Sequence, residues 1–123
     1  MSREDENKAI VGRWFTKFWG ETCDLGIVDE LAAPDMLLQY SLHEPRRGRE
    51  DIKAFMTDFR KAFPDLNFWG AADLIAEGDY VVVVYPRPVN ADDPAKAYST
   101  TWFDMWRFVD GKADEHWDGA VKN

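Results

Sequence analysis

Apolar positions recur with helical spacing in the first half of the chain and with strand-like spacing in the second. Ile10, Trp14 and Phe18 stand four apart, and Val11, Phe15 and Trp19 form the adjacent stripe. Together they predict one broad apolar face on an amphipathic helix. Ser2 followed by Asp5 has the form of a helix start, in the manner of a capping box, and Gly20 can stop the helix. A short second helix is predicted from Leu25 to Ala32, with Ile27, Val28 and Leu31 inward, and Pro34-Asp35 is expected to break the chain before a strand from Met36 to Tyr40. His43 to Gly48 reads as a loop. In a third helix Ile52, Phe55, Met56, Phe59, Ala62 and Phe63 share a face, and Pro64 ends it.

Strand signals then take over. Predicted strands run from Asn67 to Ala76 and through the continuous β-prone run Tyr80 to Tyr85, with Gly78-Asp79 as the turn between them. Pro86 and Pro88 lie beyond that run, Asn90 to Pro94 is a polar loop, Tyr98 to Val109 is a long strand, and Lys112 to Asp118 closes the sheet. Helices first and an antiparallel run of strands afterwards is an α+β pattern. A sheet with helices on one face curls around them, and the concavity is where a small-molecule pocket is expected. No repeat, linker or low-complexity tract interrupts the pattern, so residues 1–123 are expected to form one domain.

Composition narrows the function classes. Six Trp and eight Phe in a chain that is 46% hydrophobic can wall a pocket as well as fill a core. A formal charge of -8 argues against nucleic acid and anionic membrane as partners, both of which need a basic footprint. The short basic cluster Arg46-Arg47-Gly48-Arg49 beside a helix start reads as a solvated turn. The single cysteine, Cys23, cannot form an intrachain disulfide, which fits a reducing compartment. No apolar run approaches the roughly 18 residues of a membrane span. The polar start Met-Ser-Arg-Glu-Asp-Glu-Asn does not resemble a signal peptide. The expectation is a soluble, cytoplasmic protein.

Candidate chemistry concentrates at the C-terminal end. His116 and Asp118 are two apart on a predicted strand, so both side chains point to one face. Such a pair is either a solvated strand end or a proton-transfer site. Asp104 on the preceding strand depends on the turn. A two-residue Asp110-Gly111 turn sets Asp104 opposite Trp117, away from His116. A three-residue Val109-Asp110-Gly111 loop, with Gly111 left-handed in a bulge, sets Asp104 opposite His116 and Trp102 opposite Asp118. Trp14, Phe18, Phe55, Phe59 and Trp69 are candidate pocket walls or ordinary core, and Tyr40 could offer its phenol to a substrate oxygen or to backbone. His43-Glu44 is expected at loop surface near a pocket mouth. The two histidines and the scattered carboxylates show no metal-ligand spacing. There is no Gly-rich phosphate loop and no nucleophile with a recognisable base beside it.

Several segments in their order and spacing resemble a known family. They are the aromatic first helix, Leu31-Ala-Ala-Pro-Asp35, Gly48-Arg-Glu-Asp-Ile52, Phe63-Pro-Asp-Leu66, Glu77-Gly-Asp-Tyr-Val81, and Asp104 to Asp118. The chain is similar to the SnoaL-like polyketide cyclase group of the nuclear-transport-factor-2-like superfamily. The resemblance implies a cone-shaped α+β barrel, with a curved mixed sheet wrapped around three N-terminal helices and a central pocket open at one end. It also implies frequent homodimers and no cofactor. The superfamily hosts cyclases, isomerases, dehydratases, epoxide hydrolases and binding or scaffold proteins, so function must rest on residues.

In cyclases of this group an aspartate on the last strand, two residues after a histidine, is the general acid/base, and Asp118 follows His116 in that way. The chemistry is an intramolecular aldol closure. Asp104-Met-Trp-Arg-Phe108 looks like the strand that gives ketosteroid isomerases an oxyanion-hole aspartate. That likeness favours the three-residue turn and implies a protonated Asp104, but a neighbouring His116 would attract the charged form, so an Asp104–His116 hydrogen-bonded pair is the expectation instead. Two departures count against close analogy. Tyr40 stands where such isomerases carry their aspartate base, and Asp104 and Trp102 stand where cyclases carry a histidine and other polar residues. The bulk of Trp102 argues against a tricyclic or tetracyclic substrate. The resulting expectation is a cofactor-free lyase or isomerase acting on a small hydrophobic carbonyl compound through Asp118, His116 and Asp104. The alternatives are a non-catalytic pocket for a small hydrophobic ligand and a dimeric scaffold.

Overall fold

The computed structural model describes residues 2–18, 24–40, 43–62, 73–90 and 92–122. Trp19, Gly20, Cys23, Pro64 and Trp69, and with them the predicted end of the third helix and the start of the strand from Asn67, lie outside the described residues.

Three helices precede most of the sheet. Helix α1 spans Arg3–Arg13, and Ser2 caps it by accepting the Asp5 N–H at 3.1 Å, as the sequence predicts. A π-helical turn over Trp14–Phe18 follows. Val11, Trp14, Phe15 and Phe18 are all buried, so the wider turn carries the aromatic stripe into the core. Helix α2 spans Gly26–Leu31 and buries Ile27, Val28 and Leu31. Helix α3 spans Arg49–Ala62 and buries Ile52, Phe55 and Met56. No helix among the described residues is long and apolar enough to cross a membrane.

Strands β1 (Ala32–Gln39), β2 (Arg46–Arg47), β3 (Asp73–Glu77), β4 (Tyr80–Val89), β5 (Tyr98–Val109) and β6 (Lys112–Lys122) form one curved, unclosed mixed sheet in the order β2-β1-β6-β5-β4-β3. The β1–β6 pair is parallel and the others are antiparallel. This is an α+β cone, with the inner sheet face turned to the helices. Met36 and Leu38 of β1, Val81, Val83 and Tyr85 of β4, Asp104, Trp106 and Phe108 of β5, and His116 of β6 are buried on that face.

Three expectations need correction. Pro34 does not break the chain but lies inside β1, which begins at Ala32. The β1–β6 register jumps between Ala32 and Leu37, and the exposed Pro34 sits in that irregularity, where its missing N–H costs the ladder nothing. The run in β4 does not stop at Tyr85 but continues through Pro86 and Pro88, paired with Thr101 and Ser99 of β5. Pairing with β3 ends at Val84, so these prolines face an edge without a described strand. The basic cluster is not a solvated turn. Arg46 and Arg47 pair with Leu38 and Leu37, Arg47 bonds the Asp35 carbonyl at 3.1 Å, and Arg49 forks onto the Ala32 carbonyl at 2.9 and 2.8 Å. Gly48 between them has φ +89°, a conformation that disfavours any side chain.

The last hairpin decides the site. Val109 pairs with Lys112 across a two-residue turn in which both Asp110 and Gly111 have positive φ, the signature of a type I′ turn. The three-residue loop is therefore wrong. The simple two-residue ladder is also incomplete, because the register shifts between Arg107 and Phe108. Phe108 faces Ala113 while Arg107 faces Glu115, which leaves Asp114 as an extra residue in a β-bulge. Arg107 spans the bulge, with Nε at 2.9 Å and Nη2 at 2.7 Å from the two Asp114 oxygens. This fork holds the Asp114 carboxyl below its ordinary 3.8, against the opposing effect of burial.

A depressed carboxylate stabilises the fold above its unfolded pKa, and that contribution is lost as pH falls through the folded value. Asp114→Asn is therefore expected to melt a few degrees below the parent at neutral pH, with the gap closing once the pH drops below 3.8. Thermal denaturation followed by circular dichroism at both pH values measures this. A gap of equal size in acid would show that the charge at the bulge contributes nothing.

Candidate active site

The bulge brings one polar cluster to the inner face of an otherwise apolar sheet. After it, Asp104 faces Asp118, Trp106 faces His116, and Trp102 faces Ala120. The predicted Asp104–His116 and Trp102–Asp118 rungs are thus displaced by two positions. Two positions is one full pleat repeat, so the same side chains still point inward. Asp104 and His116 then meet on the diagonal rather than across a rung. His116 Nε2 lies 2.8 Å from Asp104 Oδ1, with the histidine fully buried and the aspartate 2% exposed.

The pair is enclosed by aromatic rings. Tyr40 packs on His116 at 5.0 Å between ring centroids, and Trp106 packs on it at 4.8 Å. Phe15 meets Trp106 edge-on at 6.0 Å and Tyr85 at 6.1 Å. Of the predicted wall residues, Phe55 and Phe59 pack on Tyr40 at 5.2 and 5.5 Å, which places them beside the cluster. Trp14 and Phe18 stack on each other at 5.4 Å and are buried in the helical layer. Trp102 is half-buried, its indole N–H donating to Thr100 Oγ1 at 2.9 Å along its own strand. His43 is exposed, with its ring edge toward Phe55 at 5.4 Å.

Asp118 is half-buried, so it is the member of the acidic cluster that solutes can reach. The field of the cluster shows in the tyrosines. Burial first, then the negative charges of Asp104 and Asp118, hold the Tyr40 phenol well above its ordinary 10.0. Tyr85 is pushed up by burial first, then by the charge of Asp104 and by a hydrogen bond to Asp104. Both phenols therefore stay protonated donors through the whole physiological range. Tyr85 was missed as a site residue. Its signal was the alternation Val81, Val83, Tyr85, which puts it on the inward face of β4.

Three buried polar atoms of the cluster have no hydrogen-bond partner among the described residues: Asp104 Oδ2, His116 Nδ1 and Trp106 Nε1. Natural cores pair such atoms nearly always, so each exception calls for an explanation, of which a catalytic role is one. Among the described residues no His, Cys, Asp and Glu side chains gather in threes to hold a metal ion.

A family model matches most of the chain. The model for SnoaL-like polyketide cyclases covers residues 9–120. The chain belongs to the SnoaL-like polyketide cyclase family. Among solved structures, a protein from Jannaschia sp. CCS1 assigned as a SnoaL-like polyketide cyclase is 22% identical, with a TM-score of 0.79 over 98% of this chain and 89% of that one. Wild-type IdmH from Streptomyces antibioticus, assigned as a polyketide cyclase, is 21% identical, with a TM-score of 0.66 over 97% and 92%. A nuclear-transport-factor-2-like protein of unknown function from Burkholderia pseudomallei K96243 is 22% identical, with a TM-score of 0.75 over 98% and 92%. At these identities the likeness is one of fold. No curated protein matches the chain. Within the SnoaL-like family assignment, the chemistry of this member has to be read from Asp104, His116 and Asp118 themselves.

Proposed function

We propose that the protein is a cofactor-free lyase or isomerase of the polyketide-cyclase type, acting on a small hydrophobic carbonyl compound. The observation that carries this reading is the buried Asp104–His116 pair directly behind a reachable Asp118 on an aromatic inner face. Asp118 takes a proton from the carbon next to a carbonyl, and the C–H electron pair moves onto the carbonyl oxygen as an enolate. Tyr40 donates its O–H to that oxygen. The enolate carbon then attacks a second carbonyl of the same molecule, and the alkoxide recovers the proton from Asp118. The Asp104–His116 pair does not touch substrate. It fixes the Asp104 carboxyl on the rung opposite Asp118.

Proton exchange tests the first step without knowledge of the natural substrate. Small aryl ketones, beginning with 2-tetralone, are incubated with the protein in deuterium oxide and followed by NMR. Exchange of the α-protons faster than in protein-free buffer is the expected result. Ketones that bind, by calorimetry, yet exchange no faster than in buffer would leave the protein a carrier of hydrophobic ligands and end the enzyme reading.

A further inference from the structure

Arg46 stands at the edge of this site with a donor that none of the described residues takes up. It pairs with Leu38, which in turn pairs with His116, so the three share one rung and one face of the sheet. Its guanidinium lies over the Phe55 ring, 5.3 Å from the centroid. Phe55 packs on Tyr40 and Tyr40 on His116, so Arg46 closes the outer end of the aromatic wall that starts at the histidine. The Nε–H is buried without a hydrogen-bond partner among the described residues. Nη1 makes a long ion pair with Asp51 at 3.8 Å, beyond hydrogen-bond distance. Arg47 and Arg49 are instead engaged with backbone carbonyls. The Arg46 side chain is 40% exposed although its Nε is buried.

A guanidinium offers a planar fork that fits a carboxylate, and one held on an aromatic ring is already oriented. We propose that Arg46 binds an anionic group, a carboxylate, on a molecule whose apolar body lies along Phe55 and Tyr40. This rests on the reading of Asp118 as the reacting base and narrows it: the substrate is an apolar carbonyl compound carrying a carboxylate at the end remote from the reacting carbon. Strands β2 and β6 are two places apart, about 10 Å, a span that a two-ring molecule covers. Asp104 and Asp118 at the other end repel the carboxylate, so the two ends of the site fix one orientation.

The probes are 2-naphthoate and 2-naphthamide, which differ in charge and share their ring system. Titration calorimetry on the full chain is expected to show naphthoate binding at least about tenfold tighter than the amide, the worth of one charge-assisted contact. Arg46→Gln should abolish the preference, and Arg46→Lys should keep part of it, with circular dichroism checking the fold of both. The chain has two histidines, so the imidazole NMR signals report where the probe sits, and those of His116 are expected to move. The proposal is overturned if neither probe binds, if the preference is missing or survives Arg46→Gln, or if naphthoate binds without moving His116. The preference is measured by binding, so it is expected to persist in Asp118→Asn. Loss of exchange activity with an intact preference would sink the base and not the anion site.

Discussion

Asp118→Asn is expected to lower the rate of ketone proton exchange about 10²- to 10⁴-fold, the usual worth of a positioned general base, while ligand affinity and melting temperature barely change. The split follows from burial. Asp118 is half-buried, so an isosteric amide there neither opens a cavity nor strands a charge in the core. The amide keeps the shape and loses only the basic lone pair. Asp104 cannot substitute for it, being 2% exposed and already bonded to His116. Exchange within threefold of the parent would remove Asp118 from the mechanism. A collapse of stability alongside the rate would mean that the residue holds the fold, and the loss would then say nothing about chemistry.

How far the sequence showed this site depends on which residue is asked about. The apolar face of α3 and the bounds of β5 were legible because their spacing has one interpretation, with Ile52, Phe55 and Met56 on the buried side and Tyr98–Val109 uninterrupted by Gly or Pro. The inward direction of His116 and Asp118 was legible from their spacing of two. The partner of Asp104 was not. Turn chemistry at Asp110-Gly111 allowed two loops, and the deciding element, the bulge at Asp114, lies three residues beyond the turn. A bulge of this kind has no strong composition signal, since Asp114 and Glu115 are both ordinary exposed-strand residues. Its cause is tertiary: without it His116 and Asp118 would face outward and Trp117 inward. The role of Arg46 was hidden for the same reason. A cluster of three arginines around Gly48 reads as solvated until β2 is seen to pair with β1 and lay one of them across Phe55.

The Asp104–His116 pair makes the sharpest stability prediction. His116→Leu should cost about 3–5 kcal/mol, because it strips the buried Asp104 carboxyl of its histidine partner and leaves it only the Tyr85 hydroxyl. Asp104→Val combined with His116→Leu should recover most of that loss, since removing both partners also removes the desolvation that the pair must offset. Urea denaturation followed by circular dichroism measures both, and the order expected is parent close to double variant, with the single variant far below. A double variant no better than the single would make the pair a structural support whose worth exceeds its desolvation cost. The expected order has a functional meaning. An apolar pair of similar size would fill this diagonal contact about as well, between Tyr40 and Trp106 in an aromatic core that could accept it. If that order is found, two ionisable groups stand there at no gain in stability, with Oδ2 of one and Nδ1 of the other unpaired among the described residues, and the proposed role beside Asp118 gives the reason for them.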